Sequence, residues 1–209
     1  MPDFKVATIR DAFSEFWHHH ASHWMKQRHC GFSTGDQYQA FCIAKDQIQD
    51  TAEAMLCHRR RGFSPDPFAG YVEFWGVLQA VVLQQDAIRE MEFAATGTRP
   101  TGSGGVDRSA ARKIRNLLAG HSSWNSRDPD GIKRRCTIRR QNMGYQRISY
   151  TVYENGDPKC PVLNLGDLLD RYDEEAANHL EETFSKLRER VLAPSAVAGP
   201  PPEQDKEGN

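Results

Sequence analysis

Residues Tyr71–Ile88 read YVEFWGVLQAVVLQQDAI, and this run decides how the rest of the chain is read. Phe74, Val77, Val81, Ile88 and Met91 follow steps of three, four and seven, while Tyr71, Trp75, Leu78 and Val82 widen the apolar stripe. A stripe that wide predicts a central helix, from about residue 69 to 95, touched by neighbours on several sides. It demands partner helices on both flanks.

Those partners are legible. Upstream, Phe4, Ile9, Phe13, Phe16, Trp17 and Trp24 supply a helical face within residues 3–29, as one helix or two short ones. After the Gly31–Gly35 break, Ser33 or Thr34 with Asp36 can cap a helix from about Gln37 to Arg59, with Phe41, Ile48, Ala52 and Met55 or Leu56 facing inward. Gly62, Pro65 and Pro67 then mark a loop over residues 59–67. Downstream, Leu165, Leu169, Tyr172, Ala176, Leu180, Thr183, Leu187 and Val191 form the clearest amphipathic helix of the chain. Between these lie the small-residue linker 96–105, a short helix to Ala119 capped by Asp107 or Ser109, and a stretch whose period changes to two. There, residues 134–142 and 146–153 predict paired strands, with Ile148, Tyr150 and Val152 on one face and a third short strand at 160–163 after the Asn155-Gly156 turn.

The predicted fold is therefore mainly α: a bundle of about four to five helices with a small antiparallel β-hairpin insertion, near 132–163, before the C-terminal helix. One domain covers 1–192, and Pro-rich 193–209 is predicted as a disordered tail.

Composition sets outer limits. With 209 residues, 38% apolar and a net charge of −1, the chain can bury a real core and carries no overall bias toward nucleic acid. Any such binding must come from a local patch. Five scattered cysteines without a Cys-x-x-Cys pair argue against a disulfide framework and a zinc ribbon, and point to a reducing cytoplasm. The N-terminus lacks a secretory pattern and no apolar run approaches the ~20 residues of a membrane span.

The chemistry-bearing stretch is Arg112–His121, RKIRNLLAGH. Arg115 is a permanent cation suited to phosphate, and His121 can exchange a proton near neutral pH. The alternative on spacing alone is a helix end, with Gly120 as left-handed cap and His121 donating to free carbonyls. The run from Arg115 to His121, with Asn116 second and five residues between the Arg and the His, resembles the signature of the HEPN superfamily, and Tyr71–Ile88 resembles the long helix that precedes it there. Together they span roughly 36–125. Ser122 stands where many relatives carry proline.

That resemblance implies a homodimer whose two motifs face each other, and a metal-independent endoribonuclease needing no cofactor. In it Arg115 binds the scissile phosphate, His121 transfers a proton and Asn116 orients His121. It further implies a toxin or phage-defence role, with an antitoxin or another protein partner. The alternative is a non-catalytic module that binds RNA, a nucleotide or a protein.

Other features are weighed beside the motif. Lys133, Arg134, Arg135, Arg139, Arg140 and Arg147 make the hairpin uniformly basic, and Tyr145, Tyr150 and Tyr153 accompany them. This predicts an RNA-binding surface; equally, the charges can guard a strand edge or pair with the acidic C-terminal helix. Asp86, in a very apolar helix, would have its pKa raised by burial unless it met a cation such as Arg115; otherwise it faces solvent. Glu15, His19 and His23 share a helical face, but without an identifiable third convergent ligand and orienting shell no metal site is assigned. Cys57 beside His58 is read as structural, and Gly102–Gly105 lacks the strand and lysine of a phosphate loop.

Overall fold

The computed structural model describes residues 4–24, 32–100, 110–120, 134–141 and 143–192. Among them are five α-helices and a four-stranded antiparallel sheet placed before the last helix, which is the mainly helical fold read from the periodicity.

Helix α1 is a single element, Lys5–Trp24. Its first backbone N–H groups, at Lys5 and Val6, donate to the Asp173 carboxylate at 2.6 and 3.1 Å, so a side chain from the far end of the chain caps this helix. Asp173 belongs to α5 and is buried, although the sequence places it in a run of surface acids. Helix α2, Gly35–Arg61, starts at Thr34, whose Oγ1 accepts from Gln37 N at 3.2 Å. It runs through Arg59–Arg61, read above as loop. Basic residues suit the negative end of a helix dipole, and the helix stops only where Gly62 takes φ +78°.

Helix α3, Pro67–Thr96, is capped by Asp66, carries Pro67 in its first turn, and ends on left-handed Gly97. Phe74, Leu78, Val81, Ile88 and Met91 along it are buried. It packs against α2 on one side and α5 on another, and carries α4, Ala110–Arg115, as the wide stripe requires. No helix among the described residues is long and apolar enough to cross a membrane.

Strands β1 (Arg134–Ile138) and β2 (Ile148–Glu154) pair with Cys136 opposite Val152. The predicted strands are longer than these; around Gly144 and Arg147 only an isolated bridge remains. The Asn155-Gly156 turn, both residues at positive φ, leads to β3 (Asp157–Lys159), and β4 (Val162–Leu163) pairs with the start of β2. Ile148, Tyr150 and Val152 point into the core shared with the helices. Helix α5, Leu165–Leu192, buries Leu165, Leu169, Tyr172, Ala176, Leu180, Thr183 and Leu187, with Phe184 stacked on Phe13 at 3.8 Å. The predicted linker, from residue 101, and the tail from residue 193 lie outside the described residues.

Candidate functional site

Three contacts fix how the Arg115 segment sits on the bundle. Arg112 Nε donates to Gln85 Oε1 at 2.8 Å and its guanidinium pairs with Asp86, while Arg115 Nη2 donates to Gln79 Oε1 at 2.9 Å. Helix α4 therefore advances antiparallel to α3, toward its Trp75 end. Buried Ala111 and Leu118 anchor it from beneath.

Arg115 Nη1 donates to Asn116 Oδ1 at 3.2 Å. Its Nε is buried and without a hydrogen-bond partner among the described residues, so the guanidinium is held at its tips while its inner edge has donor capacity in reserve. At Asn116 the α-helix gives way to a π-helical turn, Asn116–Gly120. Such a turn re-aims the side chains beyond it and is enriched at functional positions. The alternative reading made Gly120 a left-handed cap; here it closes the π turn. His121 lies outside the described residues, as does the predicted cap of this helix at Asp107 or Ser109.

Asp86 meets a cation across the helices, but the cation is Arg112, not Arg115. Arg112 lies three residues earlier, one helical turn up α4, and reaches Asp86 while Arg115 is engaged lower on α3. The Asp86 side chain is 51% exposed, so this acid sits at the surface of the apolar helix and not inside it.

The five hairpin arginines divide into two groups. Arg134 is held by Glu154 of the neighbouring strand, with Nε to Oε1 at 3.1 Å. Arg135, Arg139, Arg140 and Arg147 are exposed. Arg147, just before β2, reaches Ser149, Arg139 lies near Cys160 Sγ, and Arg140 sits 5.1 Å from the ring centres of both Phe68 and Tyr71 on α3. Lys133 lies outside the described residues. The tyrosines expected to stack bases mostly face inward: Tyr150 is buried and Tyr145 turns its hydroxyl to His58, leaving Tyr153 exposed.

That contact belongs to a network the sequence did not announce. His58 Nδ1 and Tyr145 Oη are 2.6 Å apart, and His58 Nε2 is 3.6 Å from Glu73 Oε2. Burial pushes the Tyr145 phenol up to about 12, so it keeps its proton and donates; burial also lowers His58, against the pull of Glu73. With Tyr145 donating, His58 accepts at Nδ1, and its buried Nε2 faces Glu73 beyond hydrogen-bond reach. Burial pushes the Glu73 carboxyl up, but the Ser64 amide at 2.8 Å and Arg61 at 2.9 Å outweigh it and hold Glu73 below the usual range. The network borders a cavity of about 400 Å³ floored by Met55, Val77 and Ala80. Its members come from α2, α3 and the turn before β2, so no local spacing could have shown it.

His18 and His20 bond to carbonyls of their own helix, at Ser14 and Phe16; the side chain of His23 lies outside the described residues. Among the described residues no three His, Cys, Asp or Glu side chains converge as metal ligands. Cys57 is an exposed free thiol on the cavity rim.

No protein-family model matches this chain, and comparisons with curated proteins and with solved structures return no match.

Proposed function

We propose that this protein is a metal-independent endoribonuclease of the HEPN type, acting as a homodimer. One observation carries the reading: Arg115 is held by Gln79 and Asn116 at the end of α4, one π turn before His121. In this reading the substrate's 2′-hydroxyl loses its proton to His121 and attacks the adjacent phosphorus. The P–O5′ bond breaks, the 5′ oxygen takes up a proton, and a 2′,3′-cyclic phosphate and a 5′-hydroxyl remain. Arg115 stabilises the extra negative charge on the phosphoryl oxygens as they become equatorial. A toxin or phage-defence role follows by analogy only, as do an antitoxin partner and a cytoplasmic setting.

The test is incubation of the purified chain with mixed RNA in excess EDTA, beside His121→Ala and Arg115→Ala. Cleavage by the wild type alone, with cyclic-phosphate ends, is expected. A second reading is an RNA-binding module without chemistry, in which the exposed hairpin residues Arg135, Arg139, Arg140 and Arg147 supply the phosphate contacts. RNA retained intact by all three proteins selects it.

A further inference from the structure

On α3 the side chains of Phe68, Val72, Trp75 and Leu83 are 66%, 64%, 40% and 42% exposed. With Gln79 they follow steps of four, three, four and four, so all five fall on one narrow face of the helix. This is the most exposed stripe of a helix whose other faces are buried against α2 and α5, and α4 reaches it at Gln79. Exposed aromatic residues on such a stripe are costly unless they are used.

Each end of the aromatic part of the stripe carries a guanidinium. Arg140 from the hairpin lies over Phe68 and Tyr71, and Arg115 is fastened to Gln79. From Tyr71 to Gln79 the helix rises about 12 Å, a span of a few nucleotides. One turn past Leu83, the acid on this face, Asp86, is paired with Arg112. The hairpin adds exposed Arg135, Arg139 and Arg147.

We infer that this face of α3 is the seat of a single-stranded RNA, whose bases stack on Phe68 and Trp75 while its phosphates bridge from Arg140 to Arg115. Flat π surfaces accept any base, and guanidinium groups lying on rings keep their N–H edges available for phosphate. A duplex, with its bases stacked inside, does not offer those faces. A polyanion complements the arginines at both ends of the stripe. The inference rests on the RNA reading above for the nature of the ligand, and relocates base stacking from the hairpin tyrosines to α3.

The experiment uses the full chain with His121→Ala, so that binding is read without cleavage, and a short 5′-labelled oligouridine followed by fluorescence anisotropy. Phe68→Ala and Trp75→Ala are each expected to weaken binding about tenfold, and Val72→Glu, which puts a like charge beside the phosphates, to do so too. Arg140→Ala should weaken binding and flatten its salt dependence. Ile43→Ala, an exposed apolar residue on α2, should leave the affinity unchanged, and the same sequence as a duplex should bind less tightly. If these losses appear while the wild type cleaves nothing, the stripe stands and the nuclease reading falls. If the wild type cleaves RNA but affinity is indifferent to Phe68 and Trp75, the stripe is overturned and the nuclease stands. Absence of oligouridine binding overturns it, and so does a dimer that Trp75→Ala converts to monomer.

Discussion

Arg115 Nη2 donates to Gln79 Oε1 at 2.9 Å across the seam between α4 and α3. A long, flexible cation is thereby given one position before any substrate arrives, which is what charge stabilisation in a transition state needs. Gln79→Leu keeps similar bulk and removes the acceptor. The expected result is a loss of roughly 10- to 100-fold in kcat for RNA cleavage, with the thermal midpoint nearly unchanged. Cleavage within twofold of wild type would show that Arg115 does not need this anchor.

The Asp86–Arg112 pair sits on the same seam with its carboxylate half in solvent, the Asp86 and Arg112 side chains being 51% and 20% exposed. A pair of this kind gains little, because water screens it and ordering two side chains costs entropy. Asp86→Asn is expected to lower the unfolding free energy by no more than about 1 kcal/mol, and the difference should shrink in high salt. Urea denaturation at two ionic strengths measures both. A loss of several kcal/mol independent of salt would mean that the pair is desolvated after all.

The helices were legible because each carries its own instructions. Thr34 announces α2, Gly62 closes it, and the steps from Leu165 to Leu187 give the buried face of α5, whereas Asp66, read within a loop, caps α3. Position along the chain was enough for these. It was not enough for Asp173, whose acid looks like its solvated neighbours yet caps α1 from the opposite end of the chain. Nor could it choose between Arg112 and Arg115 as the partner of Asp86, a choice made by how far α4 has advanced along α3. Tyr145 and Tyr150 were misread for a related reason: an aromatic among arginines looks like a stacking platform, but alternation along β2 buries Tyr150, and the turn points Tyr145 at His58. Exposed Trp75 was hidden in a helix so apolar that every position looked like core, and exposed Phe68 fell just before the predicted start of that helix.

The His58 network gives the fold an acid-sensitive joint. Burial lowers the folded-state pKa of His58 below its ordinary 6.5, so between that folded value and 6.5 the unfolded chain binds a proton that the folded chain refuses. Stability from this group is complete above 6.5 and is lost as the pH falls below it. Glu73, also lowered from its ordinary 4.5, contributes above 4.5 and loses its contribution only below that. Thermal midpoints should therefore decline first as the pH drops through the histidine range. His58→Gln is expected to flatten that first decline and to leave the carboxylate step in place. Parallel curves for the two proteins between about pH 5 and 7 would rule His58 out as the source.

Deep between α2, α3 and α5, the Tyr172 hydroxyl donates to Gln84 Oε1 at 2.8 Å, and Gln84 Nε2 donates to Thr51 Oγ1 at 3.1 Å. All three residues are buried, Gln84 completely. A polar bridge in such a place stabilises little by its own bonds, yet penalises any partner left alone. Tyr172→Phe leaves the Gln84 carbonyl oxygen unpaired and should cost about 1–3 kcal/mol. Gln84→Met takes the side-chain acceptor from the Tyr172 hydroxyl, while Thr51 keeps its bond to the Gln47 carbonyl oxygen at 2.6 Å, and should cost a similar amount. In the double variant the Tyr172–Gln84 bond has lost both ends at once and no oxygen is left stranded between them, so its cost should be smaller than the sum of the two. Urea denaturation of the four proteins of this cycle gives the coupling directly. Additive costs would mean that water or a shifted side chain repairs each single change, and that these three helices are held in register by their apolar contacts alone.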